Sequence, residues 1–598
     1  MNKMSRRTFV KGTIATTLLS TIPTSMLSAN SKINSRVKNK ELEGKVFNLT
    51  IEKTAVNITG NPSIATTINQ MLDGPTLRWK EGDEVTINVT NNLDVDTSIH
   101  WHGIILPTNM DGVPGISFDG IKPGETFTYK FPVIQSGTYW YHSHSGFQEQ
   151  TGVHGAIIIE PKEKDPYEYD KDYVIALSDW SDEKPTSIYR KLKIQADYYN
   201  FKQRTVGDFF EDVKKDGFFA AFNHRKMWNK MSMTDRDLSD VTGFTYTYLM
   251  NGENPASVFK ALFKNGEKVR LRFINSSAMT FFDIRIPGLK MKVVAADGNN
   301  IQPVDVDEFR IGVAETYDVI VEPQNNKAYA IFAQSLDRSG YALGALTFDE
   351  KVVAQTPEMD SLPILTGSDM GMDMKNMDMG NMSMGSMDSK GMNSSSMTMN
   401  HNNMSMTEMN NKKMNKSSMA MNNNMNKMQM THMEEYRGFN TTMRAMNPQY
   451  RLNDPGVGLR NNGRRVLAYS DLKSLDSLRN EAPTREIVLR LTGNMERYMW
   501  SINGIAYKDA KPIEFKYGER VRITYINDTM MNHPMHLHGM WSDLETGDNN
   551  QFAKKHTITV QPGSKISFRV TADAKGSWAY HCHLLYHMTD MFRKVIVS

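Results

Sequence analysis

Residues 581–583 read His-Cys-His, and Cys582 is the sole cysteine in 598 residues. In an extended segment successive side chains leave opposite faces, so the thiol can serve one metal while both imidazoles serve a second centre behind it. One tripeptide then joins two metal sites. A single cysteine also excludes an intramolecular disulfide framework, which leaves stability to the core.

The other histidines follow the same parity. His100 and His102 in HWHG, His142 and His144 in YHSHSG, and His536 and His538 in HPMHLHG are pairs at spacing two, like His581 and His583. Each pair faces one way in an extended segment. His533, three before His536, falls on the opposite face, and His587 follows Cys582 closely enough for a short loop to return it beside the thiol. An isolated pair reads equally well as a zinc site or as structural histidines. Ten of the 15 histidines gathered in four clusters around the sole cysteine argue against that reading. Two His and one Cys with a weak axial thioether make a blue-copper electron-transfer site, whereas imidazole-only sites suit copper that binds oxygen. Eight imidazoles are too many for one ion and fit a cluster of three. His154, His224 and His556 stand alone and read as structural.

Strand-like runs dominate the remainder. DEVTINVTNN (83–92), ETFTYKFPV (125–133), KVRLRFIN (268–275), YDVIVEP (317–323), RVRITYIND (520–528) and KISFRVTA (565–572) alternate polar with β-branched or aromatic residues. EGDEVTINVTNN, NGEKVRLRFINSS and YGERVRITYINDT look like one strand in three repeats. About 500 residues outside the leader and a Met-rich tract make three domains at roughly 150 to 170 each. Around 184–235 strand alternation lapses, and a helical insertion is expected.

The motifs HWHG, YHSHSG, HPMHLHG and HCHLLYHM, with LSDWSDE (177–183) and RIPGLKMKVVAADG (285–298), resemble the multicopper oxidases, most closely their bacterial copper-resistance protein A branch. The resemblance covers nearly the whole mature chain. It implies an all-β chain of three cupredoxin-like Greek-key β-sandwiches: 45–165, 166–355 and 435–598. Metal motifs occur in the first and third, so the cluster is expected between them with the second as a spacer. It further implies four copper ions. His533, Cys582 and His587 would hold type 1 copper, His100 and His536 type 2 copper, and His102, His142, His144, His538, His581 and His583 the type 3 pair. The axial position is open between Met591, one residue short of the family spacing, and Phe592 at that spacing. Asp111 matches a family acid that supplies protons to the cluster, although Asp-Gly is also a turn former. The residue after the second type 1 histidine, acidic in some related cuprous oxidases, is Met588. Met531 occupies the place of a methionine that binds substrate Cu(I) in such relatives, and Asp528 stands near it as a partner carboxylate. Packing beside the copper is the alternative for Met530 and Met531.

The N-terminus, MSRRTFVKG followed by a short Thr/Ser-rich apolar stretch, reads as a twin-arginine signal over 1–29, directing export to the periplasm by that machinery without stable membrane insertion. Loss of this leader takes the formal charge from +3 to about −1, which leaves no basic field for nucleic acid. Between residues 366 and 434 lies a tract expected to be a disordered linker; Met370 to Met433 holds 21 of the 43 methionines. Its thioethers suit capture of additional Cu(I), with His401 and His432 as extra donors; a plain spacer is the alternative. The expected function is an exported, monomeric oxidase coupling oxidation of Cu(I), and of phenols, to reduction of O2. A laccase-type phenol oxidase and a copper-sequestering protein are the alternatives.

Overall fold

The computed structural model describes residues 41–372 except 201, 231 and 232, and residues 429–598 except 432, 439, 476–480 and 548–551. The signal sequence and most of the Met-rich tract, with His401 and His432, lie outside the described residues. The tract's predicted start at 366 is too early. Thr366 to Met372 form a turn in which Met370 is buried and Asp369 pairs with Arg460 (2.5 Å).

Among the described residues six β-sheets follow one another in pairs. Strands between Glu41 and Glu160 build a five- and a four-stranded sheet, those between Lys171 and Thr347 a six- and a five-stranded sheet, and those between Gln429 and Val597 an eight- and a five-stranded sheet. Alternation explains the layering: in Glu84–Asn91 every second residue (Val85, Ile87, Val89) is fully buried while Glu84 is exposed. One apolar core runs through all three sheet pairs, from Phe47 to Val597.

The three repeated phrases become three equivalent strands. Glu84–Asn91, Val269–Asn275 and Arg520–Asn527 each lie parallel to the first long strand of their sandwich and antiparallel to a later one. Each ends in a fully buried asparagine with the same task. Asn91 donates to the carbonyls of Val95 and Ile121, Asn275 to those of Thr280 and Ile311, and Asn527 to those of Met531 and Val560. Their Oδ1 atoms accept from the amide two residues on, in Leu93, Ser277 and Thr529. A buried turn is thereby satisfied by one side chain.

The expected insertion contains helices Pro185–Ile194, Val206–Asp216 and Phe218–Lys230. Thr205 and Asp208 cap the second reciprocally. The first lays Ile188 and Leu192 into the core and sends Lys193 Nζ to the Tyr498 carbonyl in the third sandwich (2.8 Å).

The second sandwich is more than a spacer. Asp297 Oδ2 accepts from the amides of His556 and Thr557 (both 3.1 Å) and meets Lys555 Nζ at 3.0 Å, all in the third sandwich. Gly298 lies so close to Gly137 of the first sandwich that a Cβ on Gly137, at φ +122°, would sit 2.0 Å from the Gly298 carbonyl oxygen.

Asn275→Ala should destabilise the protein by about 2–4 kcal/mol through buried groups left unpaired. The check is the midpoint of the unfolding transition, and an unchanged midpoint would refute the role.

Candidate metal centres

Strand register decides which side chain meets which. In the third sandwich His533–Leu537 pairs with Gly576–Cys582, placing Met535 opposite Cys582 and His536 opposite His581. Opposed residues share a face, so Cys582, Met535 and His533 lie on one side and His536 and His581 on the other. The four-residue helix Leu585–Met588 brings His587 back to the thiol.

On the cysteine side three ligand atoms form a compact triangle. His533 Nδ1 lies 3.5 Å and His587 Nδ1 3.8 Å from Cys582 Sγ, and the two nitrogens are 3.4 Å apart. Their outer nitrogens are committed elsewhere: His533 Nε2–H donates to Thr529 Oγ1 (2.7 Å) and His587 Nε2–H to Asp240 Oδ2 (2.6 Å). Both Nδ1 lone pairs therefore face the sulfur, the usual way an outer partner sets a ligand tautomer. Trp500 stacks on His587 with ring centres 3.9 Å apart. Burial pushes the Cys582 thiol up, so a thiolate forms when a metal displaces its proton.

Met591 and Phe592 part company here. Phe592 pairs with His581 and stacks on its ring (5.4 Å, interplanar angle 6°), which places it on the imidazole side. The Cys582 amide donates to the Met591 carbonyl (3.0 Å), and Met591 is buried in the cluster that contains Cys582.

Behind the cysteine, eight histidines converge from the first and third sandwiches. His100–His102 is held beside Gly137–His142 by cross-strand pairing. His144 Nε2 lies 3.3 Å and His538 Nε2 3.1 Å from His581 Nε2; His142 and His583 face each other through Nε2 at 3.3 Å, with His102 completing their group. His100 and His536 belong to a third group with His538. Burial first, and neighbouring rings second, hold His102, His142, His144, His536, His538 and His583 far below the ordinary imidazole range. Burial brings His581 to about 3. Neutral imidazoles whose Nε2 lone pairs converge in this way can share a cation. The buried Nε2 atoms of His100, His102 and His536 have no protein partner. A fourth group, His102, His536 and His556, overlaps the others, so the imidazole groups share His102, His536 and His538; the donor set fits a cluster of copper ions.

Carboxylates stand behind the rings. Asp111, 1% exposed, places Oδ2 2.9 Å from His538 Nδ1 and Oδ1 3.2 Å from His100 Nδ1, while its carbonyl accepts from His100 (2.8 Å). Glu149, absent from the sequence reading, lies 2.8 Å from His142 Nδ1 and 4.0 Å from His583 Nδ1. Its signal, one acid five residues after His144, is too weak to single out. His556, read as structural, reaches the pocket too: its ring meets His102 (4.7 Å) and its carbonyl accepts from His536 Nδ1 (2.6 Å). His154 and His224 stay outside, beside Asp73 (3.6 Å) and Trp228 (3.2 Å). Trp140 stacks on His142 (4.3 Å), and Trp101 packs in the core.

The substrate carboxylate needs correction. Asp528 is gripped by Arg490, which donates to both its oxygens (2.6 and 2.7 Å), and by the Ala445 amide (2.9 Å). A carboxylate held in this way positions the loop, and it does not line the cavity that contains Met531. Met531 instead shares a small cavity with Met279 and Asp240, whose Oδ1 is buried without a partner. Both of these come from the second sandwich and its insertion, far from the metal motifs in sequence.

Profiles of the multicopper oxidase family match residues 50–164, 171–350 and 480–598. The chain is 55% identical to copper resistance protein A of Escherichia coli over 603 residues, covering 100% of this chain and 99% of the relative. It is 56% identical to copper resistance protein A of Pseudomonas syringae pv. tomato, with 100% of each covered. Among solved structures, Fet3p, a multicopper oxidase that functions in iron import, superposes with a TM-score of 0.60 at 17% identity over 93% of this chain and 91% of that one. A laccase from Botrytis aclada gives 0.60 at 20% identity over 94% and 89%. These two show the fold. With three sandwiches, a Cys–His triad and an eight-histidine pocket in place, and full-length identity above one half, the chain belongs to the multicopper oxidase family.

Proposed function

We propose that this oxidase takes electrons from Cu(I) and serves copper resistance, the role named for its relatives in Escherichia coli and Pseudomonas syringae. The observation that carries the substrate is the cavity beside the cysteine triad. Two thioethers, Met279 and Met531, and the free Oδ1 of Asp240 line it. Soft sulfur selects Cu(I), and the carboxylate stabilises the Cu(II) that electron loss leaves behind. Free volume of about 10 Å3 admits one water-sized body and no phenol ring. Asp240 Oδ2 accepts from His587, so the bound substrate is one carboxylate away from a type 1 ligand.

We infer that His533, Cys582 and His587 would hold type 1 copper, with Met591 rather than Phe592 as the candidate further donor, since Phe592 belongs to the other face. His100 and His536 are assigned to type 2, and the remaining six histidines to the type 3 pair, which makes four coppers. Bound there, copper would supply one-electron redox chemistry and the site at which O2 takes four electrons and four protons to give two waters. The chain's own part is to orient and to move protons. Cys582 joins its two neighbours covalently, and Asp111 holds His100 and His538 while standing near enough to hand protons inward. Export to the periplasm by the twin-arginine route rests on Arg6 and Arg7. Among the described residues no helix is long and apolar enough to cross a membrane. The methionines of the Met-rich tract are proposed as a source of further Cu(I) ligands.

Oxygen uptake with chelated Cu(I) and with an outer-sphere phenol separates the readings. Met531→Ala and Met279→Ala should each lower cuprous oxidation at least about tenfold, equivalent to ~1.4 kcal/mol of lost binding, and spare the phenol; equal loss on both would favour a laccase. Asp111→Asn should slow oxygen reduction by about 10²–10⁴ while the cysteine-bound copper is still reduced at the normal rate, and undiminished turnover would dismiss the proton role. Deleting 373–428 should lower Cu(I) bound per chain; unchanged stoichiometry would leave the tract a spacer.

A further inference from the structure

The six type 3 histidines divide into two groups of three, His144–His538–His581 and His102–His142–His583. Each group carries rings from both the first and the third sandwich, so something must hold rings of separate sandwiches in register before metal joins them. For the first group and its neighbour His100, Asp111 does this, reaching His538 at 2.9 Å and His100 at 3.2 Å. No family position in the sequence provides a counterpart for the second group, because the residue after His587 is Met588.

We infer that Glu149 is that counterpart, a positioning residue for the copper held by His102, His142 and His583. This inference rests on reading the eight-histidine pocket as a trinuclear copper site. Oε2 lies 2.8 Å from His142 Nδ1 in the first sandwich, and Oε1 lies 4.0 Å from His583 Nδ1 in the third. The same two rings turn Nε2 towards each other at 3.3 Å, the arrangement that results when both Nδ1 atoms carry the proton and face an acceptor. Among the described residues His583 Nδ1 has no hydrogen-bond partner, and His142 Nδ1 bonds to the Ser143 carbonyl at 3.1 Å with Glu149 as the nearby carboxylate.

The carboxylate is built for the task. Its side chain is 1% exposed, and among the described residues neither oxygen has a hydrogen-bond partner. A buried carboxylate without compensating donors is costly, and the two imidazole N–H groups are the donors it can reach. The backbone holds it rigidly: Glu149–Thr151 is one 3-10 turn closed by Gly152 at φ +112°. Gln150 Nε2 ties the turn to the Asp179 carbonyl of the second sandwich (3.0 Å). All three sandwiches therefore set the position of one carboxylate.

The test uses copper-loaded full-length protein and its Glu149→Gln and Glu149→Ala variants. Copper per chain, the near-ultraviolet absorption of the coupled pair, EPR-visible copper and the visible thiolate band are read together. Wild type should show four coppers with the coupled pair EPR-silent. Glu149→Ala should bind the His102–His142–His583 copper about 10–100-fold more weakly, lose the near-ultraviolet band and keep the visible band. Glu149→Gln, nearly isosteric and able to accept from one ring while its NH2 opposes the other, should fall between. An unchanged near-ultraviolet band and copper affinity in either variant would overturn the assignment. A wild-type protein that loads only the thiolate copper would instead overturn the trinuclear reading on which it rests.

Discussion

The two metal centres depend on one geometric constraint, the alternation of side chains along Gly576–Cys582 and its registered neighbour His533–Leu537. Because Met535 faces Cys582 and His536 faces His581, every ligand is sorted to one side or the other of a single sheet layer. A slip of one residue would invert both sets together. The same register sends Phe592 to the His581 side and ties the Met591 carbonyl to the Cys582 amide. The sorting is reinforced from behind by Asn527, whose amide closes the loop that delivers Met531 and His533.

Ligand orientation is a separate matter from ligand position, and it is settled by groups that do not touch the metal. Thr529 and Asp240 take the outer N–H of His533 and His587; Asp111 and the His556 carbonyl take those of His538 and His536, and Glu149 stands 2.8 Å from His142 Nδ1. In a site where burial holds the imidazoles neutral, each accepted N–H decides which nitrogen remains for copper. Several of these acceptors depend on the second sandwich. Asp297 grips the amides of His556 and Thr557, Asp179 holds the turn carrying Glu149 through Gln150, and Asp240 follows the helical insertion. The sandwich without metal motifs thus contributes to both centres.

The polar interior follows the same logic. Lys555 is fully buried between Asp297 and Glu315, 3.0 Å from each, at the junction of the second and third sandwiches. Such a triad holds geometry more than it adds stability, since desolvation offsets most of the attraction. Arg490 and Asp528 form a similar lock beneath the type 1 loop, which is why a carboxylate that sequence proximity placed at the substrate is structural instead.

Spacing within short segments was enough to read the strands, the threefold repeat and the ten clustered histidines with Cys582, though not His556, because alternation is a local property of an extended backbone. Composition alone marked the Met-rich tract. What sequence could not yield was every contact between segments distant along the chain: Glu149 behind His142 and His583, Asp240 behind His587, Met279 beside Met531, and the capture of Asp528 by Arg490. A lone acid or methionine has no periodic neighbour to announce its role, and its partner is chosen by how three sandwiches pack. The chain by itself determined which side chains could bind metal and on which face of a strand each stands. Only the tertiary structure decided how those side chains are turned and what stands next to the copper, because orientation is set by hydrogen bonds between elements that meet only after folding.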